Sequence, residues 1–199
     1  ADGLEAVSMR RVGVEAGVST ALVQYYFPDK AALLLFAIND CTAAAKERAG
    51  ERIRTTIESE LGGGTGPAAV SAATVRAVLG ELLPLDEGRR QFLLVHQAYF
   101  SRAMHDPQVA SLYRDDTPKL VEYLRTELTE RQAAGDVPEG FEPRHEAETL
   151  VALAVHVGTD MLLGLRTAGA AMELIDYHIG RVLPGAEGSA GSHLSLIHI

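Results

Sequence analysis

Thr20, Ala21 and Gln24 fall within five residues of one another, and none of them carries a carboxylate. Small and hydrogen-bonding side chains at the start of a helix suit base edges in a DNA major groove, and a glutamine amide can bond adenine bidentately. Gln24 is therefore the first candidate for base readout. Tyr25, Tyr26 and Lys30 follow at once. Hydroxyl and ammonium groups suit phosphates, which supply affinity and register without reading sequence. Ser8, Arg10, Arg11 and Ser19 complete this polar set. One of the two arginines is expected to reach the DNA backbone and the other to be solvated, while Phe27 reads as a core aromatic.

A second constellation is Phe92, His96, Tyr99, Phe100, Met104 and Tyr123. An apolar lining with a few polar tips is the makeup of a small-molecule pocket, and its aromatic faces could cage a quaternary ammonium. Periodic aromatics also build ordinary helical cores. His156 and Asp160, four apart, share a helix face. A metal pair or an acid-base dyad would need a third group at recognisable spacing, whereas a hydrogen-bonded pair at a buried interface needs none. No Ser-His-Asp order, HExxH motif or paired carboxylate array occurs, so neither an active site nor a metal or cofactor is expected. GGGTGP at 62–67 reads as a surface loop, because the Lys-Ser or Lys-Thr pair of a phosphate cradle does not follow.

Two short helices must position the first set. Met9, Val12 and Ala16 share one face of a helix that Ser8 can cap, and Gly17 ends it. Ser19 can cap the next, which leaves a turn of about three residues, the length of a helix-turn-helix. Leu22 and Val23 are expected to point into the core.

Ser8-Met9-Arg10, Ala16-Gly17-Val18-Ser19, Tyr26-Phe27-Pro28 and Lys30 with Leu33 together resemble the DNA-binding domain of the TetR family of one-component repressors. Gln24 departs from the tyrosine frequent at that position in the family. LLPLDEGRR at 82–90 and AMHDPQVASLYR at 103–114 are similar to the branch of the choline-responsive betaine regulator. The resemblance implies an all-α chain. Residues 1–46 would form the helix-turn-helix DNA-binding domain, 47–184 an effector-binding and dimerisation domain, and 185–199, ending in HLSLIHI, a disordered or foreign tail. Family members carry an amphipathic helix before the residues matching Gly3. This chain is expected to lack it, which would leave Met9, Val12, Val18, Leu22 and Val23 partly uncovered.

The remaining segments read as helices. Asp29 can cap one that runs from Lys30 through Ile53, Ile57 and Leu61 to the glycine run. Pro67 starts another that Pro84 ends, Asp86 and Glu87 open the next, and Pro107 begins a long one bent or interrupted at Pro118. Glu146 to Leu165 is apolar on more than one face, and 172–183 follows after a Gly-containing turn. The resemblance implies that the helices around 146–166 and 171–183 pair with a second copy, so that two recognition helices meet the half-sites of a palindromic operator.

Composition agrees with a helical protein, since tryptophan is absent and aromatics make up 6% of residues. The formal charge of -9 opposes nucleic-acid binding for the whole, but charge matters where DNA is touched. Cys41, alone, allows no intramolecular disulfide and reads as a small apolar helix residue. No apolar run approaches the roughly 20 residues of a membrane span, so a cytoplasmic location is expected. The functional expectation is a ligand-responsive repressor, homodimeric on double-stranded operator DNA and released by a small-molecule effector. A helical small-molecule binding module without DNA function is the alternative, and an enzyme using His156 and Asp160 a more distant rival.

Overall fold

A computed structural model of the chain describes residues 7–63 and 67–184. Residues 1–6, the middle of the glycine run and the 185–199 ending lie outside the described residues. Those described form eight α-helices and no strand. They are α1 (Met9–Glu15), α2 (Thr20–Tyr26), α3 (Lys30–Gly62), α4 (Pro67–Gly80), α5 (Glu87–Ala103), α6 (Pro107–Ala133), α7 (Pro143–Leu162) and α8 (Ala168–Val182).

Local chemistry sets most helix starts. Oxygens of Ser8, Ser19, Asp29, Asp86, Asp106 and Thr167 each accept a hydrogen bond from a first-turn N–H, satisfying a donor that has no partner within the helix. Pro107 and Pro143 stand at the first positions of α6 and α7, where a missing N–H costs nothing. The last two helices start earlier than their apolar patterns suggest. Pro143 and the Thr167 cap define the starts, and Gly164, at φ +74°, closes α7 three residues before the expected end. Pro118 does not interrupt α6. It is exposed there, as is Arg114, whose carbonyl loses its helical partner, so water can take that carbonyl in place of the missing N–H.

The main core lies among α4, α6, α7 and α8. In α7, Ala147, Leu150, Val151, Ala154, Val157 and Gly158 form one buried stripe, and in α8 Ala171, Ile175, Ile179 and Val182 form another. They close on Val75, Val78 and Leu79 of α4 and on Leu124 and Leu128 of α6. Gly158 permits this closeness, because a Cβ there would run into the Leu82 carbonyl oxygen. A second, smaller core joins the N-terminal end of α3 to α5 and α6 through Leu34, Ile38, Tyr99 and Val109. The Tyr99 hydroxyl donates to the Leu34 carbonyl at 2.8 Å. α3 is thus shared: its first turns adjoin the helix-turn-helix, and Ile53, further along, packs on the main core. It passes unbroken through residues 46 and 47.

Candidate DNA interface and ligand cavity

The α1–α2 turn has the geometry its residues imply. Gly17 sits at φ +68°, where only glycine is unstrained, with hydrogen bonds from Gly17 N to Val14 O at 3.2 Å and from Val18 N to Gly13 O at 2.8 Å. Gly13 is buried, and a Cβ on it would stand 3.0 Å from the Val18 oxygen. Ser19 Oγ accepts from Leu22 N at 3.2 Å, which starts α2. Its hydroxyl hydrogen remains available, as does that of Ser8, whose oxygen accepts from Arg11 N at 3.2 Å.

α2 buries Val23 and exposes the opposite side. Ala21, Gln24, Tyr25 and Tyr26 are exposed and Thr20 is half-buried. Thr20 and Gln24 lie four apart, so they share a face, and the Tyr25 and Tyr26 rings meet edge-on at 5.2 Å. Arg10 and Arg11 are exposed on α1, and Lys30, half-buried, opens α3. Phe27 is half-buried against Phe36, with centroids 5.3 Å apart. Leu22 differs from expectation: it is 44% exposed. Adjacent helical residues point about 100° apart, and the face carrying Val23 is the packed one.

A cavity of about 380 Å³ opens among α3, the end of α4, α5, α6 and α7. Phe92 and His96 of α5 line it, and so does Tyr113 of α6. Tyr113 donates its hydroxyl to the His96 carbonyl at 2.8 Å, and burial pushes its pKa up to about 12. Tyr99, Phe100, Met104 and Tyr123 do not line this cavity. Tyr99 turns onto α3, and Phe100 packs edge-on against Tyr113 at 5.4 Å while remaining 44% exposed. Met104 and Tyr123 are exposed. Tyr99 shares the helix face of Phe92 and His96 but lies about two turns further along α5, against Leu34 of α3, while Phe100 and Met104 turn progressively away from that face.

One end of the cavity is charged, in a way that no local spacing signals. Glu81 accepts from Arg52 Nε at 2.7 Å and Arg89 Nη1 at 3.1 Å, and also contacts Arg52 Nη2. Asp86 accepts from the Arg89 amide at 2.8 Å, the chief reason its carboxyl titrates below the ordinary range. The Glu81 hydrogen bond likewise holds the Arg52 guanidinium above its ordinary value. The run 82–90 supplies Asp86 and Arg89, but Arg52 comes from 30 residues upstream and only the fold brings it in.

His156 Nε2 lies 3.8 Å from Asp160 Oδ2, a carboxylate that also sits 3.5 Å from Arg166 Nε. His156 is exposed, and among the described residues no three His, Cys, Asp or Glu side chains gather as a metal site would require. No single described helix is long and apolar enough to cross a membrane.

Residues 71–184 match the BetI-type transcriptional repressor C-terminal family, and residues 1–36 match the bacterial regulatory proteins of the tetR family. The chain belongs to the TetR family. A TetR-family fold also fits the solved structures. A transcriptional regulator from Rhodococcus sp. Rha1 superposes with TM-score 0.70 at 28% identity, covering 95% of this chain and 91% of that one. A Saccharomonospora viridis regulator, solved in complex with choline, superposes with TM-score 0.72 at 20% identity over 94% of this chain and 88% of that one, a likeness of fold alone. The HTH-type transcriptional regulator BetI of Vibrio campbellii is 27% identical over 126 residues, which make up 63% of this chain and 58% of that protein. The match thus spans less than two thirds of that curated TetR-family relative. TetR-family proteins are transcriptional regulators, which are not an enzyme class.

Proposed function

We propose that this chain is a ligand-responsive transcriptional repressor that binds a palindromic operator as a homodimer and is released by a small molecule. The observation that carries the reading is the exposed, carboxylate-free face of a capped α2, joined through α3 to a cavity wall. In this reading residues 1–46 bind DNA and 47–184 bind effector and dimerise. Gln24 reads a base, with Thr20 and Ala21 beside it. Ser8, Ser19, Tyr25, Tyr26, Lys30 and one of Arg10 and Arg11 hold phosphates.

The dimer face is the solvent side of α7 and α8 with the turn between them, where Leu163, Leu165 and Tyr177 are exposed in the single chain. Pairing there would set two α2 helices about 34–36 Å apart, one turn of DNA. The effector acts by binding better to a conformation in which that spacing is wrong, since only differential affinity can shift the equilibrium. The choline-bound fold neighbour supports the view that such a bundle can hold a small ligand.

Fluorescence anisotropy of DNA flanking the gene, titrated at two salt concentrations, tests the reading. Saturable binding that weakens with salt is expected, because phosphate contacts release counterions. A folded chain that binds no flanking segment would instead be a ligand-binding helical module, the alternative that the net charge of -9 favours.

A further inference from the structure

We propose that the cavity takes an amphipathic organic anion, an apolar body with a carboxylate head held by Arg52 and Arg89; this rests on the cavity being the effector site. Its charged groups are Lys46, Arg48, Arg52 and Arg89 against Glu81 and Asp86. Arg52 and Arg89 match Glu81 and Asp86 in charge, and the exposed Arg48 adds a cation toward solvent. Both carboxylates are also committed. Glu81 bridges two guanidiniums, and Asp86 caps α5 while lying 2.9 Å from Arg89 Nε. A cationic ligand would find neither carboxylate without a guanidinium already on it.

An anion finds a donor. Arg89 Nε is buried and makes no aligned hydrogen bond despite the nearby Asp86 oxygen. A ligand carboxylate that exchanges with Asp86 on the guanidinium fork would give that N–H a straighter acceptor. Phe92 and His96 lie 5.8 Å apart and His96 and Tyr113 4.7 Å, so each ring already spends part of its surface on a neighbour. Ile53, Leu82 and Val151 supply apolar wall for a short hydrocarbon body, and 380 Å³ suits one small ligand.

The arrangement also supplies a switch. Arg52 belongs to α3 and Glu81 follows the end of α4, so a ligand carboxylate that replaces Glu81 on Arg52 removes one polar tie between α3 and the body while the apolar packing of Leu34, Ile38 and Ile53 stays.

Isothermal titration calorimetry of the full chain compares octanoate, octyltrimethylammonium and choline below micellar concentrations. Octanoate should bind one per chain, and the ammonium with the same tail about tenfold more weakly or worse. Arg52→Gln should weaken octanoate by about tenfold with circular dichroism and melting retained, since a charged hydrogen bond is lost. Glu81→Gln should tighten it, because both guanidiniums are released, whereas a purely structural carboxylate would not move affinity upward. A preference for choline or octyltrimethylammonium overturns the inference, as does octanoate binding indifferent to both substitutions. Operator anisotropy in each ligand separates the two claims. Bound octanoate that leaves operator affinity unchanged refutes the effector reading and supports the ligand class. An ammonium that releases the operator does the reverse.

Discussion

Gln24 offers its amide from the face of α2 that also carries Thr20, one turn from a capped N-terminus. Gln24→Ala should lower affinity for the preferred operator by about 1–3 kcal/mol and relax preference at one base pair. Tyr25→Phe should weaken all sequences alike. Anisotropy with a panel of single-base operator variants distinguishes these patterns. Two glycines are fixed by close approach. Gly158→Ala would force a Cβ against the Leu82 carbonyl, and backbone cannot swing aside as a side chain can. Its melting temperature should fall by several degrees, about the shift of an overpacked core.

Tyr99 is 2% exposed, and burial pushes its hydroxyl up to about 12 from 10.0. The folded state therefore favours the neutral phenol. This contribution is full below pH 10, the unfolded value, and is lost as pH rises toward 12; Tyr113 behaves alike. Denaturant titrations across that window should show stability falling with pH. In Tyr99→Phe the fall should be shallower, and at neutral pH the lost hydrogen bond to Leu34 should cost about 1 kcal/mol.

At the scale of elements, the starts of α1, α2, α3, α5 and α6 are legible because their signals are local. Ser8, Ser19, Asp29 and Asp86 lie within three residues of the amides they cap, and Pro107 announces α6 by its own stereochemistry. The helix-turn-helix is legible for the same reason, its turn resting on Gly17. The cavity was only half legible. Phe92 and His96 belong to the six-residue constellation the sequence offers, but Arg52 with Glu81 is a contact across 29 residues, and nothing in either neighbourhood announces it. Periodicity groups residues by face without saying which face meets which helix, and so it joined Met104 and Tyr123 to a pocket they do not line.

The cap at the start of α5 carries its own pH signature. Asp86 titrates below 3.8, chiefly through the Arg89 amide, so its stabilising effect is full above that value and disappears as pH falls through the lower folded pKa. Asp86→Ala should cost about 1 kcal/mol near neutrality. Thermal melts repeated in strong acid should show the two proteins converging.

For the whole molecule, the net charge of -9 and a thin basic face set the behaviour on DNA. Few cations face phosphate, so the salt slope of operator binding should be shallow for a protein of this size. Assembly is the other global property. Leu163 and Leu165 are 68% and 72% exposed in the single chain, and Leu163→Glu with Leu165→Glu should convert the proposed dimer to a monomer by light scattering. Operator affinity should drop with it, since each half-site would then be held alone.

Cys41 is exposed and is the only thiol in the chain, on a helix that runs from beside α2 to the cavity. A nitroxide attached there needs no engineered cysteine and no removal of others, and a homodimer would carry two. Double electron-electron resonance would then read the separation of the two α3 helices directly, with and without ligand. A distance distribution that shifts on adding the ligand would mark α3 as the moving part. One that stays fixed while DNA is released would locate the motion between Cys41 and the recognition helix.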